Sequence, residues 1–225
     1  MSRISNFPQI TQNEFEEACT NLLQRFGQTS HLQSEWLSLD HLQSFDNIKY
    51  LRITKPLPHK IEPSKPSSTG SDPTLPHPEL DEDDEEALAV PSTPQPVIHY
   101  DIVLSPTYRV PVLYISIKDT FHRYPPTMST LYDAIVPSEY AAQTNDFGVI
   151  GGITIADHPI TNTPVYFIHP CKTAEVLEAS SGGREMETSA YLLLWIGAMG
   201  RCVGFDMPLV LVASQYVGES MKGTR

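Results

Sequence analysis

The chain is short of cysteine, of positive charge and of long apolar runs, and each shortage removes a class of function. It has three cysteines in 225 residues, Cys19, Cys171 and Cys202. An odd number at such wide spacing builds no disulfide framework and suits a reducing compartment. Fifteen Lys and Arg stand against 27 Asp and Glu, a formal charge of −12. With no basic stripe to neutralise phosphates, nucleic acid is not an expected partner. The longest apolar stretch, Tyr191 to Met199, falls short of the roughly 20 residues that span a bilayer. No transmembrane segment is expected. The opening MSRISNFPQI lacks the apolar core of a signal peptide. The expectation is a soluble, intracellular protein.

Cofactor and metal chemistry are also poorly provided for. Pro170-Cys171 supplies half of the PCxxC of a zinc deaminase, but Ala174 stands where the second cysteine would be. His158, His169 and Cys171 do not have structural-zinc spacing, so no metal is expected. Gly148 to Gly152 does not lead into the GK[ST] of a phosphate-binding loop. No histidine follows Cys171, which argues against the papain-like protease layout. His122 and His158 are left as partners that only the fold could bring to the thiol. No cofactor is expected.

Residues 56–96 differ in kind from the rest. They hold ten of the twenty prolines, a Ser-Ser-Thr-Gly-Ser tract and the acidic run Asp81 to Glu86. Nine acids and two lysines there carry −7 of the total charge. Such a stretch buries too little apolar surface to offset its ordering entropy, so it reads as a disordered loop. A docking site for a basic partner is the second reading.

Elsewhere the patterns are regular. Phe15, Ala18, Cys19, Leu22, Leu23 and Phe26 recur at helical spacing over Asn13 to Phe26, behind a Thr11/Glu14 capping box and ahead of a stop at Gly27. Cys19 therefore reads as core. Trp36 to Leu39, Ile48 to Thr54, Ile98 to Leu104 and Val110 to Ile117 read as strands, the last two as an antiparallel hairpin. Leu131 to Val136 reads as a helical turn, Gly148 to Ile155 as extended, and Glu187 to Arg201 as a helix with Trp195 as a core anchor. Gly197 and Gly200 in that helix suggest close packing. Cys202 reads as structural. The order predicts one α+β domain over residues 1–225, a single sheet flanked by helices, with 56–96 inserted between two of its strands.

One stretch organises the chain: Pro164 to Leu177, PVYFIHPCKTAEVL. Val165 to Ile168 has the composition of a buried strand. Pro170 ends any ladder, having no N–H to donate. Lys172 to Glu178 reads as a short helix with Ala174, Val176 and Leu177 inward. A cysteine at the mouth of a strand-to-helix turn stands near a helix N-terminus, where the attacking thiolate is favoured. Cys171 is thus the expected carrier of a covalent intermediate, with His169 two residues away to orient it. Packing is the bland alternative for a lone cysteine.

His158-Pro159 with Pro164 to Glu175 resembles the catalytic segment of the autophagy-related conjugating enzymes. The HPCKT form of His169 to Thr173 is similar to the autophagy-related protein 10 family rather than the autophagy-related protein 3 type. Tyr191 to Ile196, Val203 to Leu209, and the hairpin Tyr100 to Ser105 with Tyr108 to Tyr114 resemble the same family. The likeness covers residues 98–212 well and 11–54 more loosely. It implies a ubiquitin-conjugating-enzyme-like α+β fold with a single antiparallel sheet. It also implies that Cys171 accepts a ubiquitin-like modifier, autophagy-related protein 12, from its activating enzyme, autophagy-related protein 7. A lysine of the acceptor, autophagy-related protein 5, would then take it, in the cytoplasm at the site of autophagosome formation. His169 and Pro170 would shape the turn. The chain has no HPN element to supply an oxyanion-stabilising asparagine, and Asn145, Thr154 and Asp157 are the residues offered for that role. Tyr100 and Tyr114 are offered as acceptor guides, with sheet packing as their other use. A lipid-directed conjugating enzyme and a non-catalytic bridging module are the alternatives.

Overall fold

The computed structural model describes residues 2–58, 94–141 and 152–213. Most of 56–96, together with Asn145 and Gly148 to Gly151, lies outside them.

Helix α1 (Gln12–Thr29) starts at the expected box: Thr11 Oγ1 accepts the Glu14 N–H, and the Thr11 N–H donates to Glu14 Oε2 at 2.8 Å. Phe15, Ala18, Cys19 and Leu22 form its buried stripe. Gly27 does not stop it. The residue stays right-handed, and the helix continues until Thr29 turns its hydroxyl back onto Arg25 O at 2.8 Å.

Six strands form one antiparallel sheet in the order β1-β2-β3-β4-β6-β5. They are β1 (Ser38–Gln43), β2 (Lys49–Pro56), β3 (Val97–Leu104), β4 (Pro111–Lys118), β5 (Ile153–Asp157) and β6 (Pro164–Ile168). Residues 57–96 join β2 to its neighbour β3. Trp36 lies before β1 rather than in it, stacked against Phe26 and Phe205 with its indole N–H donated to Asp206 O at 3.0 Å. β3 and β4 pair over their whole length. Between β4 and β5, a short helical turn (Met128–Thr130) runs into a wider π-type turn (Leu131–Ile135).

After β6 a 3-10 turn (Pro170–Lys172) leads into α2 (Thr173–Ser181), followed by α3 (Thr188–Met199). Gly182 ends α2 in a left-handed conformation, φ 61°. The inward residues of α2 are Thr173, Leu177 and Ser181; Ala174 and Val176 are only half-buried. The helices cover one sheet face. Leu51, Ile53, Tyr100, Ile102, Leu113, Ile115, Tyr166 and Ile168 meet Phe15, Leu22, Tyr191, Trp195 and Ile196 in one core. Among the described residues no helix is long and apolar enough to cross a membrane.

Gly197, within α3, and Gly200, its C-terminal cap, divide. A Cβ on Gly200 would lie 2.4 Å from Phe205 O, whereas one on Gly197 would meet nothing within 4 Å. Gly200→Ala is expected to lower stability by about 1–3 kcal/mol. Gly197→Ala is expected to raise it by roughly 0.5–1 kcal/mol through helix propensity. Urea denaturation midpoints test both. A second expectation concerns acid. Burial alone would push Glu14 up, but hydrogen bonds from Thr11 and Ser5 outweigh it and bring the carboxyl from 4.5 down to about 2. A depressed folded-state value contributes stability above the ordinary one, lost as pH falls between the two. Glu14→Gln should therefore lose less stability than the wild type between pH 4.5 and about 2, measured as denaturation midpoint against pH.

Candidate active site

The turn expected to hold the site begins at the end of β6. Val165, Tyr166 and Ile168 are buried, and Pro170, also buried, is the first residue of the turn that follows. That turn leaves Cys171 exposed, while Cys19 and Cys202 are buried. Burial pushes the Cys19 thiol up to about 12 and the Cys202 thiol up to about 11. Cys171 is the one cysteine placed to meet a partner protein.

His169 caps the turn. Its Nδ1 accepts the Cys171 backbone N–H at 3.2 Å, and the His169 backbone N–H donates to Gly152 O at 3.3 Å. An Nδ1 used as acceptor leaves the ring proton on Nε2. Nδ1 is therefore committed to the Cys171 backbone amide rather than to its thiol, which fits a turn-shaping role. On the surface beside it, Lys172 Nζ pairs with Glu175 at 3.0 Å.

A row of rings leads to this turn across the sheet face opposite the helices. Tyr114 lies 5.1 Å from His158 and 5.3 Å from Phe167. Phe167 meets the His169 ring edge-on at 5.9 Å, and Tyr108, 43% exposed in the β3–β4 turn, meets it from another side at 5.6 Å. Tyr114 is half-buried, and burial raises its phenol. Tyr108 belongs to the hairpin of the family resemblance and not to the expected site residues. An aromatic at a hairpin tip, Ser-Pro-Thr-Tyr, was the available signal.

The other expected residues divide. Tyr100 is fully buried on the helix side, stacked on Phe205 at 4.4 Å and donating its hydroxyl to Val203 O at 2.9 Å. Packing is its use, and acceptor guidance is corrected. Thr154 is exposed on β5 and faces Phe167 across the ladder. Asp157 pairs with Pro164, at the start of β6, about 13 Å along the strand from Ile168 at ~3.3 Å per residue. It is not brought to Cys171. Asn145 lies outside the described residues. His122 follows β4 in an exposed loop, and His158 is buried against Asp101, its Nε2 3.2 Å from Oδ2. Neither is placed as a base for the thiol.

Among the described residues no group of three or more His, Cys, Asp or Glu is placed to hold a metal ion. A groove of about 490 Å³ lies between α2 and α3, lined by Ser181, Met186, Leu193 and Leu194 and by none of the residues around Cys171. The exposed thiol suits attack on a group presented by another protein, which needs no enclosed small-molecule pocket.

The sequence matches the family described as "Autophagocytosis associated protein, active-site domain" over residues 14–210. It is 29% identical over 231 residues to the "Ubiquitin-like-conjugating enzyme ATG10" of Gibberella zeae, covering 91% of this chain and 97% of that one. To the human protein of the same name it is 28% identical over 134 residues, covering 58% of this chain and 60% of the other. A crystal structure of the autophagic E2 Atg10 aligns with a TM-score of 0.46 and 13% identity, over 88% of this chain and 99% of that one.

Alkylation reads the cysteine environments directly. Iodoacetamide at neutral pH is expected to modify Cys171 alone in the folded protein. Cys19 and Cys202 should react only in denaturant, as peptide mass analysis of each alkylated sample would show.

Proposed function

The chain belongs to the family of the autophagocytosis-associated protein active-site domain, and from that premise we propose that it is a conjugating enzyme carrying a ubiquitin-like modifier as a thioester on Cys171. The observation behind this is the placing of one exposed cysteine, in the HPCKT turn at the end of β6, within the matched segment. The modifier is autophagy-related protein 12, its donor the activating enzyme autophagy-related protein 7, and the acceptor a lysine of autophagy-related protein 5. The proposed setting is the cytoplasm.

The chemistry is two acyl transfers. The Cys171 thiolate attacks the carbonyl of the modifier's thioester on the activating enzyme. A new C–S bond forms, and the donor's thiolate leaves. The acceptor's neutral ε-amine then attacks the same carbonyl. An amide C–N bond forms, the amine gives up a proton, and the Cys171 thiolate is expelled. A thiolate serves both steps because it is a strong nucleophile and a good leaving group.

Each tetrahedral intermediate places negative charge on the carbonyl oxygen, which needs donors aimed at it. The Cys171 backbone N–H is occupied by His169, so the support comes from elsewhere. Thr154, exposed across the ladder from Phe167, is the proposed side chain on β5, and Asn145 is a second. Tyr114, half-buried in the ring row, is the proposed guide for the incoming lysine.

Reconstitution with the activating enzyme, modifier, acceptor and ATP tests the reading. The expected product is a modifier–acceptor conjugate stable to reductant, formed with wild type and absent with Cys171→Ala. Thr154→Ala should slow its formation roughly tenfold or more. Transfer of a modifier to an aminophospholipid instead would select the lipid-directed alternative. Conjugation that survives Cys171→Ala would refute the proposed carrier.

A further inference from the structure

The sheet face opposite the helices carries a buried charged cluster that the transfer steps leave unused. Asp101, in mid-β3 and 4% exposed, accepts Arg52 Nε on Oδ1 and Nη2 on Oδ2, both at 2.7 Å. His158, 2% exposed, brings Nε2 to 3.2 Å from Oδ2. That is close enough for electrostatic contact, although the ring N–H is not aligned as a full hydrogen bond. Burial alone would raise the Asp101 carboxyl; Arg52 and His158 outweigh it and hold the group below its ordinary value.

The turn between β5 and β6 is built around the same histidine. The His158 N–H donates to Thr163 O, and its carbonyl accepts from the Asn162 N–H, both at 2.9 Å. Nδ1 accepts the N–H groups of Ile160 and Thr161 at 3.2 and 3.3 Å. With Nδ1 accepting, the ring proton sits on Nε2, the nitrogen nearest Asp101. Tyr50 and Tyr114 flank the ring at 6.1 and 5.1 Å.

What this fixes follows from the sheet register. β6 pairs with β5 at five positions but with β4 at only two, Tyr114↔Phe167 and Ile115↔Tyr166. The β5–β6 hairpin is thus joined to the main sheet by a ladder of only two residue pairs, with Cys171 just beyond one end and His158 at the other. We infer that Arg52, Asp101 and His158 pin the far end of this hairpin to β3 and so position the Cys171 turn for transfer. They are positioning residues, acting through the strand and the ring row. The functional half of the inference rests on Cys171 being the thioester carrier.

Two conservative variants separate the pin from the turn. In His158→Asn the side-chain oxygen still accepts the two turn amides, as in an Asx turn, but the side chain is too short to reach Asp101. Asp101→Asn keeps the shape and an acceptor for Arg52 but removes the charge. Each variant and the double variant are compared with wild type, at a temperature where circular dichroism shows them folded. Hydrogen exchange of the amides of residues 166–169 and 171 is one readout. The other is single-turnover discharge of preformed thioester at saturating acceptor.

Each single variant is expected to speed that exchange and to slow discharge roughly tenfold at saturation, without raising the acceptor concentration needed. The double variant should be no slower than either single, because both break the same link. Wild-type exchange and discharge in both variants would overturn the inference, as would effects that simply multiply. Should His158→Asn not fold, Asp101→Asn decides by the same readouts. A wild type that acquires no thioester would refute the carrier, while the exchange result would still decide the pin.

Discussion

The strand that leads to Cys171 is joined to the body of the sheet by two residue pairs, and contacts on both faces of the sheet add to that short ladder. On the helix side the contact is packing. Tyr166 donates its hydroxyl to Thr127 O at 2.8 Å. Ile168 shares the core cluster with Leu113, Trp195 and Met199, and Thr173, just after the Cys171 turn, is buried. On the opposite side it is polar. A bidentate arginine–aspartate pair, its carboxylate buried and its guanidinium partly exposed, reaches the β5–β6 turn through His158. Removing the arginine would leave the buried Asp101 carboxylate without its main compensating charge. A strand held by apolar contacts on one face and by charge on the other can end at the surface without being loose there.

That arrangement explains how an exposed thiol keeps a defined geometry. Pro170 is buried and ends the ladder, His169 occupies the Cys171 N–H, and α2 begins two residues later. The side chain that faces solvent is therefore carried by backbone fixed on both sides. A small-molecule enzyme would enclose such a thiol; a carrier that receives an acyl group from one protein and passes it to another needs it open.

Much of this was legible in the chain. The stripe from Phe15 to Leu22 with its capping box, the alternation along β4 and the strand–proline–cysteine–helix run each rest on local chemistry, and local chemistry is what a single sequence displays. The end of α1 was misplaced because a glycine ends a helix only where the chain needs a left-handed residue, and at Gly27 it does not. The Asp101 cluster was not legible. Its partners lie 49 residues before and 57 residues after it, and nothing in the alternation says which face a loop will cover. Its one trace is an acid set in the apolar run of β3, Val97–Leu104, buried on both sides. Tyr108 meeting His169 is of the same kind: a contact between two turns far apart in sequence.

The central claim is that Cys171, and no other residue, holds the modifier between its two partners. The most direct measurement is the mass of the linked peptide after a short reaction with activating enzyme, modifier and ATP, quenched without reductant, for the wild type and Cys171→Ser. A thiol-labile adduct on the peptide containing Cys171 in the wild type, replaced in the variant by a thiol-resistant oxyester at position 171, is the predicted result. A thiol-labile adduct that persists in the variant, on the peptide of Cys19 or Cys202, would contradict it.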